Sequence, residues 1–414
     1  MNQNQPRGPV DWAAVRRQFP ALANRTFLDA ACVSLLPLQA SDAVTDFVRC
    51  LADPVLGDAT AHHVWMDEQR AEAVSQVGKM LRVGPEHIAL VESTSHGLNI
   101  AAQSIPWSEG DEVLICDLEF LQVAIPFVKL AQRSGIQVRF IPNRNGIVDA
   151  DMFRSAITPR TRAIVFSSTQ WTNGYRIDLP AVVDAARGVR AWIIVDAIQQ
   201  AGAIPVETEG VDFLIAGGHK WLNAPLGAGF LCLSQRVLFE LEPGSWGYLA
   251  LDPPAGGWGN YFTTPGITPD RSYEFTHSAK RFEIGGTGNY PGAVALAKSV
   301  KLLNDVGPDH AAARIWTLGD RLIQGLERLP VRLETPFDRS RRAGIVSFTL
   351  GNRARDGAVL NHLLAQRVSV AQRYTSGTGG IRVSVHYFNN EEDIDRLLSV
   401  LGEFLKKPDR SHRM

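Results

Sequence analysis

Val211-Asp-Phe-Leu-Ile-Ala-Gly-Gly-His-Lys220 is a short apolar run that ends in a glycine pair, a histidine and a lysine. Ahead of it, Ala191-Trp-Ile-Ile-Val-Asp196 ends on a carboxylate 24 positions before Lys220. Continuous apolar runs of this length that finish in polar groups read as strands buried on both faces, delivering chemistry at their carboxyl ends. A lysine is ordinarily a solvated surface charge. Lys220 instead follows an apolar strand and precedes Trp221-Leu222, which argues for a desolvated place.

The pattern around these two runs repeats. Ile88–Val91, Glu112–Cys116, Gln137–Ile141, Ala163–Ser167, Trp192–Val195, Phe213–Ile215 and Gly229–Leu233 are apolar segments separated by connections, several of helix length. That alternation predicts an α/β layer on a mostly parallel sheet. Upstream, residues 11–22 read as a short helix, Thr26-Phe-Leu-Asp29 as an extended piece, and 38–82 as helical with a break near Pro54 and Gly57. Residues 242–280 are rich in Gly, Pro and aromatics and read as a long irregular excursion. Helices are expected from Tyr290 to about Asn304 and near His310–Leu329. After them a small α+β unit is expected, with strands near Ile345–Leu350 and Ile381–Val385 and helices near Asp356–Gln366 and Asn390–Leu405.

The bulk numbers exclude several classes. The chain has 414 residues, enough for more than one domain, and a formal net charge of −1. It carries no basic stripe for nucleic acid and no polybasic block for a membrane surface. Cys32, Cys50, Cys116 and Cys232 lack CxxC spacing, which fits a reducing compartment rather than a disulfide framework or zinc site. With a polar N-terminus and no apolar run of membrane-spanning length, a cytoplasmic globular protein is expected.

Asp196 alone could cap the next helix. Gln199 follows three positions later, near the same turn, so Asp196 could hold a pyridinium N–H while Gln199 reaches the ring hydroxyl oxygen. Lys220 would then form a Schiff base, with a pKa lowered by burial or by a neighbouring cation. These demands suit pyridoxal phosphate, whose protonated ring takes up the electrons of a carbanion. His219 reads either as a core histidine or as a donor to the cofactor phosphate. Glu92-Ser-Thr-Ser-His-Gly97 opens a helical stretch, and a helix N-terminus rich in hydroxyl residues is both an ordinary cap and an anion site. Thr94 and Ser95 are the candidate phosphate contacts, with His96 beside them.

On these residues the chain resembles the fold-type I pyridoxal-phosphate enzymes of the class V aminotransferase family, a group of cysteine desulfurases, kynureninases, C–S lyases and isopenicillin N epimerases. The resemblance runs from about Phe27 to Asp395. It rests on Thr94-Ser-His-Gly97, Glu119-Phe120, Gln170-Trp-Thr-Asn-Gly174, Asp196-Ala-Ile-Gln199, Gly217-Gly-His-Lys220, Arg281-Phe-Glu-Ile-Gly-Gly-Thr287 and Gly380-Ile-Arg-Val-Ser384. It implies a large cofactor domain over 27–288 with a seven-stranded sheet, a small α+β domain over 289–414, and a segment 1–26 packed on the small domain. It also implies that Phe120 stacks on the cofactor ring, although a core phenylalanine is the plain alternative. Trp171 would line ring and substrate, and Arg382 would grip the substrate carboxylate through its bidentate guanidinium. Thr287 would reach the phosphate of a neighbouring subunit, which makes the expected assembly a homodimer with shared sites.

Two departures narrow the reading. The desulfurases carry a nucleophilic cysteine on a loop ahead of that arginine. The corresponding stretch, Val368 to Gly380, has none, which leaves no thiolate there to accept sulfur and argues against persulfide chemistry. The serine often found before Gly-His-Lys is Gly217 here, so one phosphate hydroxyl is missing. The expected activity is therefore β-elimination from a cysteine S-conjugate, a C–S lyase reaction that fits a natural-product pathway. Aminotransferase, epimerase or decarboxylating chemistry on the same scaffold stays open, as does a non-catalytic cofactor-binding regulator. Arg373, Tyr374, Tyr387, His62 and His63 are further candidates for the pocket of a small amino acid substrate.

Overall fold

The computed structural model describes residues 9–53, 58–283, 286 and 288–406. Its strands, in chain order, are β1 (Thr26–Phe27), β2 (Ile88–Val91), β3 (Glu112–Cys116), β4 (Gln137–Ile141), β5 (Thr161–Ser167), β6 (Trp192–Asp196), β7 (Phe213–Gly217), β8 (Gly229–Leu233), β9 (Arg332–Leu333), β10 (Ile345–Thr349), β11 (Val368–Ser369), β12 (Ala371–Thr375) and β13 (Thr378–Ser384). The seven apolar runs of the alternating region are β2 to β8. They form one sheet in the order β2-β8-β7-β6-β5-β3-β4. β3 to β7 pair in parallel with one another and with β4, and β8 runs antiparallel between β7 and β2.

Strand alternation divides the sheet into two packed faces. Ile193 and Val195 of β6 and Leu214 and Ala216 of β7 join one core. That core also holds Val77 of the helix Ala59–Leu81 and Leu296 and Val300 of the helix Tyr290–Val306. Trp192, Ile194, Phe213 and Ile215 face the other core, with Leu98 and Ala101 of the helix Thr94–Ser104 and Phe127 of the helix Leu121–Ser134. Gly97 allows this second layer to sit close, because a Cβ there would lie 2.5 Å from Ile215 Cγ2.

A second, antiparallel sheet in the order β12-β13-β10-β9 packs with the helices Arg353–Ala365 and Glu391–Leu405 around its own core. Leu318, Leu322 and Leu326 of the helix Pro308–Leu326 join that core, while Ala311 and Ile315 of the same helix join the core of the large sheet. The change of core thus falls inside this helix, later in the chain than residue 289. In the opening segment Arg16 pairs with Asp393 at 2.7 Å and Thr26 of β1 pairs with Val368 of β11, while Val15, Phe19 and Leu22 join the core of the large sheet.

Residues 368–380, which read as a loop in the sequence, are mostly strand. β12 and β13 form a hairpin whose two-residue turn, Ser376-Gly377, has both φ angles positive (41° and 82°), the turn that suits strand twist. The glycines at 379 and 380 disguised it. They are there for space: a Cβ at Gly380 would lie 2.2 Å from Phe348 O on the neighbouring strand. The excursion 242–280 is irregular, as expected, and holds the 3₁₀ turn Tyr248–Ala250 and a short α-helix, Gly257–Phe262, packed on the helix Ala59–Leu81.

Gly344 presses on the segment that carries Lys220. A Cβ there would lie 2.5 Å from Trp221 Cη2 and 2.7 Å from Val385 O, and Trp221 is fully buried. Gly344→Ala is expected to cost about 1–3 kcal/mol in urea unfolding. Gly188→Ala, with open space around it, should stay within about 0.5 kcal/mol of the parent.

Candidate active site

The carboxyl ends of the parallel strands meet above the sheet, at one cavity of about 400 Å³. β2, β3, β5, β6 and β7 each deliver one part of its wall. The turn after β2 brings Ser93, Thr94 and Ser95, and the connection after β3 brings Phe120 and Gln122. β5 ends in Ser167 and continues to Trp171. β6 ends in Asp196, followed by Ile198 and Gln199, and β7 runs out into His219 and Lys220. From the other sheet come Arg373 on β12 and Arg382 on β13, and from the turn that follows β1 come Ala31 and Cys32.

Asp196 is 4% exposed, and its one hydrogen-bond partner among the described residues is the Ile198 N–H, 2.9 Å from Oδ1. Burial pushes its carboxyl up to about 7, against the opposing pull of that N–H and of Lys220. Lys220 is held down to about 8, chiefly by desolvation, and its nitrogen has no hydrogen-bond acceptor among the described residues. The two groups influence each other's charge without forming a salt bridge. A buried carboxylate with one backbone donor is costly unless a cationic N–H reaches it. A ligand with a protonated ring nitrogen meets that demand, and one with an aldehyde meets the amine's.

The remaining lining suits the other parts of such a ligand. Gln199 accepts from Trp221 Nε1 at 2.9 Å and donates to Ala31 O at 3.2 Å, leaving the second N–H of its amide for a ligand. Ser93 caps the helix Thr94–Ser104 by accepting from His96 N, and the helix's first N–H groups, at Thr94 and Ser95, have no partner within it. Thr94 Oγ1 accepts from Gly217 N at 2.9 Å, tying this anion site to β7. His219 is pushed down to about 4, first by burial and then by Lys220, so its ring is neutral and donates through one N–H. A Cβ at Gly217 would lie 3.2 Å from His219 Nδ1, so the glycine that replaces the serine leaves the imidazole room. Phe120 presents a 43% exposed ring, edge-on to Trp171 at 5.4 Å, with Lys220 Nζ 6.0 Å from its centroid. The residues present therefore fit pyridoxal phosphate: Asp196 for the ring nitrogen, Gln199 for the ring hydroxyl, Phe120 for the ring face, Thr94, Ser95 and His219 for the phosphate, and Lys220 for the aldehyde.

Arg382 is 2% exposed. Its Nη1 donates to Trp171 O at 2.9 Å, its Nη2 lies 3.3 Å from Asp29 Oδ1, and its buried Nε has no partner. Burial raises the Asp29 carboxyl against the pull of Arg382. This guanidinium keeps donor capacity for a carboxylate ligand.

Two candidates stand elsewhere. Tyr374 follows Arg373 on β12, so its side chain takes the opposite face; its hydroxyl donates to Asp356 Oδ2 at 2.5 Å, away from the cavity. His96 lines a separate small cavity with Arg70 and Glu283, because the second residue after Thr94 points round the far side of the helix. Thr287 lies outside the described residues. Of the wider pocket set, His63 Nε2 sits 3.2 Å from Tyr290 OH, His62 lies against Trp65, and buried Tyr387 donates to Asn223 Oδ1 at 3.1 Å. Asp29 and Cys32 were missed. Their signal was the extended piece at Thr26–Asp29, but nothing local shows that it threads between Arg382 and Lys220.

Comparison with known proteins agrees with this geometry. The family described as Aminotransferase class-V matches residues 26–397. A probable cysteine desulfurase of Methanothermobacter thermautotrophicus is 27% identical over 95% of this chain and 97% of that protein. The isopenicillin N epimerase of Streptomyces clavuligerus is 28% identical over 95% and 98%. Among solved structures, the cystine C–S lyase C-DES in complex with its product cysteine persulfide superposes with a TM-score of 0.81 at 25% identity, covering 93% of this chain and 99% of that one. A C-DES variant with glycine covalently linked to its PLP cofactor gives 0.82 at 26%, over 94% and 99%. A match that runs from the first strand into the last helix, through every strand end that meets at Lys220, makes this chain a member of the class-V aminotransferase family and a pyridoxal-phosphate-dependent enzyme.

Proposed function

We propose that the chain is a C–S lyase, removing the sulfur substituent of an S-substituted cysteine by β-elimination. The observation that carries this reading is the form of residues 368–380. They make a paired hairpin that sends Arg373 into the cavity, and no residue of that stretch is a cysteine. Sulfur therefore leaves with its substituent instead of passing to a nucleophile on this segment.

Pyridoxal phosphate supplies the electron sink that makes an α-carbanion accessible. The chain's own groups do the rest. Arg382 holds the α-carboxylate by its free donor edge and fixes the substrate's orientation. Lys220 Nζ, with a pKa near 8 in the free protein, is the group that moves the α-proton. Asp196 stays ionised when a cationic N–H reaches it, since the partner removes the penalty that burial imposes. Trp171 and Phe120 exclude water from one wall. Arg373 places a positive charge where the departing sulfur gathers negative charge.

The assembly we propose is a homodimer. Leu121, Ile125 and Val128 follow Phe120 at helical spacing and expose 62%, 46% and 39% of their surfaces, an apolar stripe at the mouth of the site that a second copy would cover.

Mass detection of products from a panel of cysteine S-conjugates tests the reaction. Pyruvate, ammonia and a thiol are expected; conversion of the cofactor to its amine form, or inversion at Cα without cleavage, would replace this reading by transamination or epimerisation. Arg382→Ala should lower kcat/KM by about 2–5 kcal/mol, mainly through KM; an unchanged KM removes Arg382 from carboxylate binding. Because the neutral amine is the reactive form, the rate at which apoprotein captures pyridoxal phosphate should rise with pH and level off above about 8. Borohydride should then fix the cofactor's mass on Lys220, and Lys220→Ala should lose both signals.

A further inference from the structure

We propose that Cys32 is a sulfur-accepting thiol of this site, taking the terminal sulfur of a persulfide released from a disulfide-bearing cysteine derivative, of which cystine is the simplest. The inference rests on the C–S lyase reading and names the substrate class within it.

The turn that carries Cys32 is anchored at both ends to the catalytic wall. Leu28 O accepts from Ser384 N at 2.7 Å, on the strand of Arg382, and Ser34 N donates to His219 O at 2.8 Å, next to Lys220. Between them Cys32 N donates to Asp29 O at 3.0 Å, closing a turn that points two side chains inward. Asp29 meets Arg382, and Cys32 Sγ lies 3.7 Å from Arg373 Nη2 on the wall of the Lys220 cavity. Cys32 is half-buried, so its thiol stands on the cavity wall beside the Arg373 guanidinium and open to a sulfur species held there. Independently, the buried, unpartnered Nε of Arg382 shows donor capacity for a carboxylate ligand in the same cavity, which would bring an amino acid's sulfur within the space that Cys32 faces.

The other thiols do not compete. Cys116 and Cys232 are buried, and burial holds both protonated, Cys232 up to about 12. Cys50 lies on the helix Leu38–Ala52, which contributes nothing to the cavity wall.

The step balances without an oxidant. Elimination breaks the Cβ–S bond of the disulfide substrate and releases R–S–S–H. Cys32 thiolate attacks the terminal sulfur, the S–S bond of the persulfide breaks, and its electron pair leaves with R–S⁻, which is protonated to R–SH. Cys32 is left as Cys32–S–S–H. This is ordinary thiol exchange, with the sulfane sulfur carried from one thiol to another.

The test uses the cofactor-loaded full chain without reductant. After incubation with L-cystine, peptide mass mapping should find a gain of one sulfur atom on Cys32, together with pyruvate. S-methylcysteine, whose leaving group carries no sulfane sulfur, should yield pyruvate and no gain. Cys50→Ser should keep the adduct and Cys32→Ser should lose it. In the free protein, glycine should slow the alkylation of Cys32 by iodoacetamide and leave that of Cys50 unchanged, because only Cys32 lines the cavity. Pyruvate from cystine with no sulfur on Cys32, or alkylation of Cys32 that glycine does not slow, overturns the inference and leaves elimination standing. No pyruvate from either compound overturns the lyase reading beneath it.

Discussion

The structure depends on holding two opposite charges, Asp196 and Lys220, at the buried carboxyl edge of one sheet without letting them neutralise each other. Each pays a desolvation cost that shows in its displaced pKa, the carboxyl near 7 and the amine near 8. Paired directly, they would stabilise the protein and leave nothing to react. Kept apart, Asp196 at the end of β6 and Lys220 just past the end of β7, they leave unmet demands at defined points of one cavity, and a cationic ring and an aldehyde meet both.

That separation explains much of the surrounding architecture. Parallel pairing from β3 through β7 sends successive strand ends to the same edge, so one residue from each can reach a common space. Gly97 lets the helix Thr94–Ser104 lie close on β7, and Thr94 locks it there through Gly217 N, which brings a helix N-terminus to the anion end. Trp221, wedged under Gly344 and stacked on His386 at 5.3 Å, fixes the chain that follows Lys220. The second sheet supplies what the first cannot. Arg382 and Arg373 come from β13 and β12, and their charges face Lys220 across the cavity. The two arginines thus come from one sheet and the carboxyl and amine from the other.

The first strand has an unexpected part in this. Pairing of β1 with β11, followed by the bridge of Asp29 to Ser384, carries the chain from the small sheet to the backbone of His219. It brings Asp29 to Arg382 and Cys32 to the cavity wall.

Strand positions in the large sheet and the placing of Asp196, Gln199 and Lys220 at strand ends facing one cavity were readable in the sequence, because each depends on local pattern: an apolar run buried on both faces, then polar groups at its end. Those residues lie within a few positions of the strand that places them. Side-chain direction was not readable where it turns on pairing. Arg373 and Tyr374 are neighbours of similar character, yet the pleat of β12 sends one to the cavity and the other to Asp356. The hairpin at 368–380 was hidden because its glycines are required by close contact with Phe348 O and Arg373 O, atoms distant in sequence or on the facing strand. Cys32 is the clearest case. By itself the sequence determined that no cysteine precedes Arg382 on its own segment. Only the tertiary structure decided that a cysteine reaches the site from the opposite end of the chain, since that depends on which distant strands hydrogen-bond to Leu28 and Ser34.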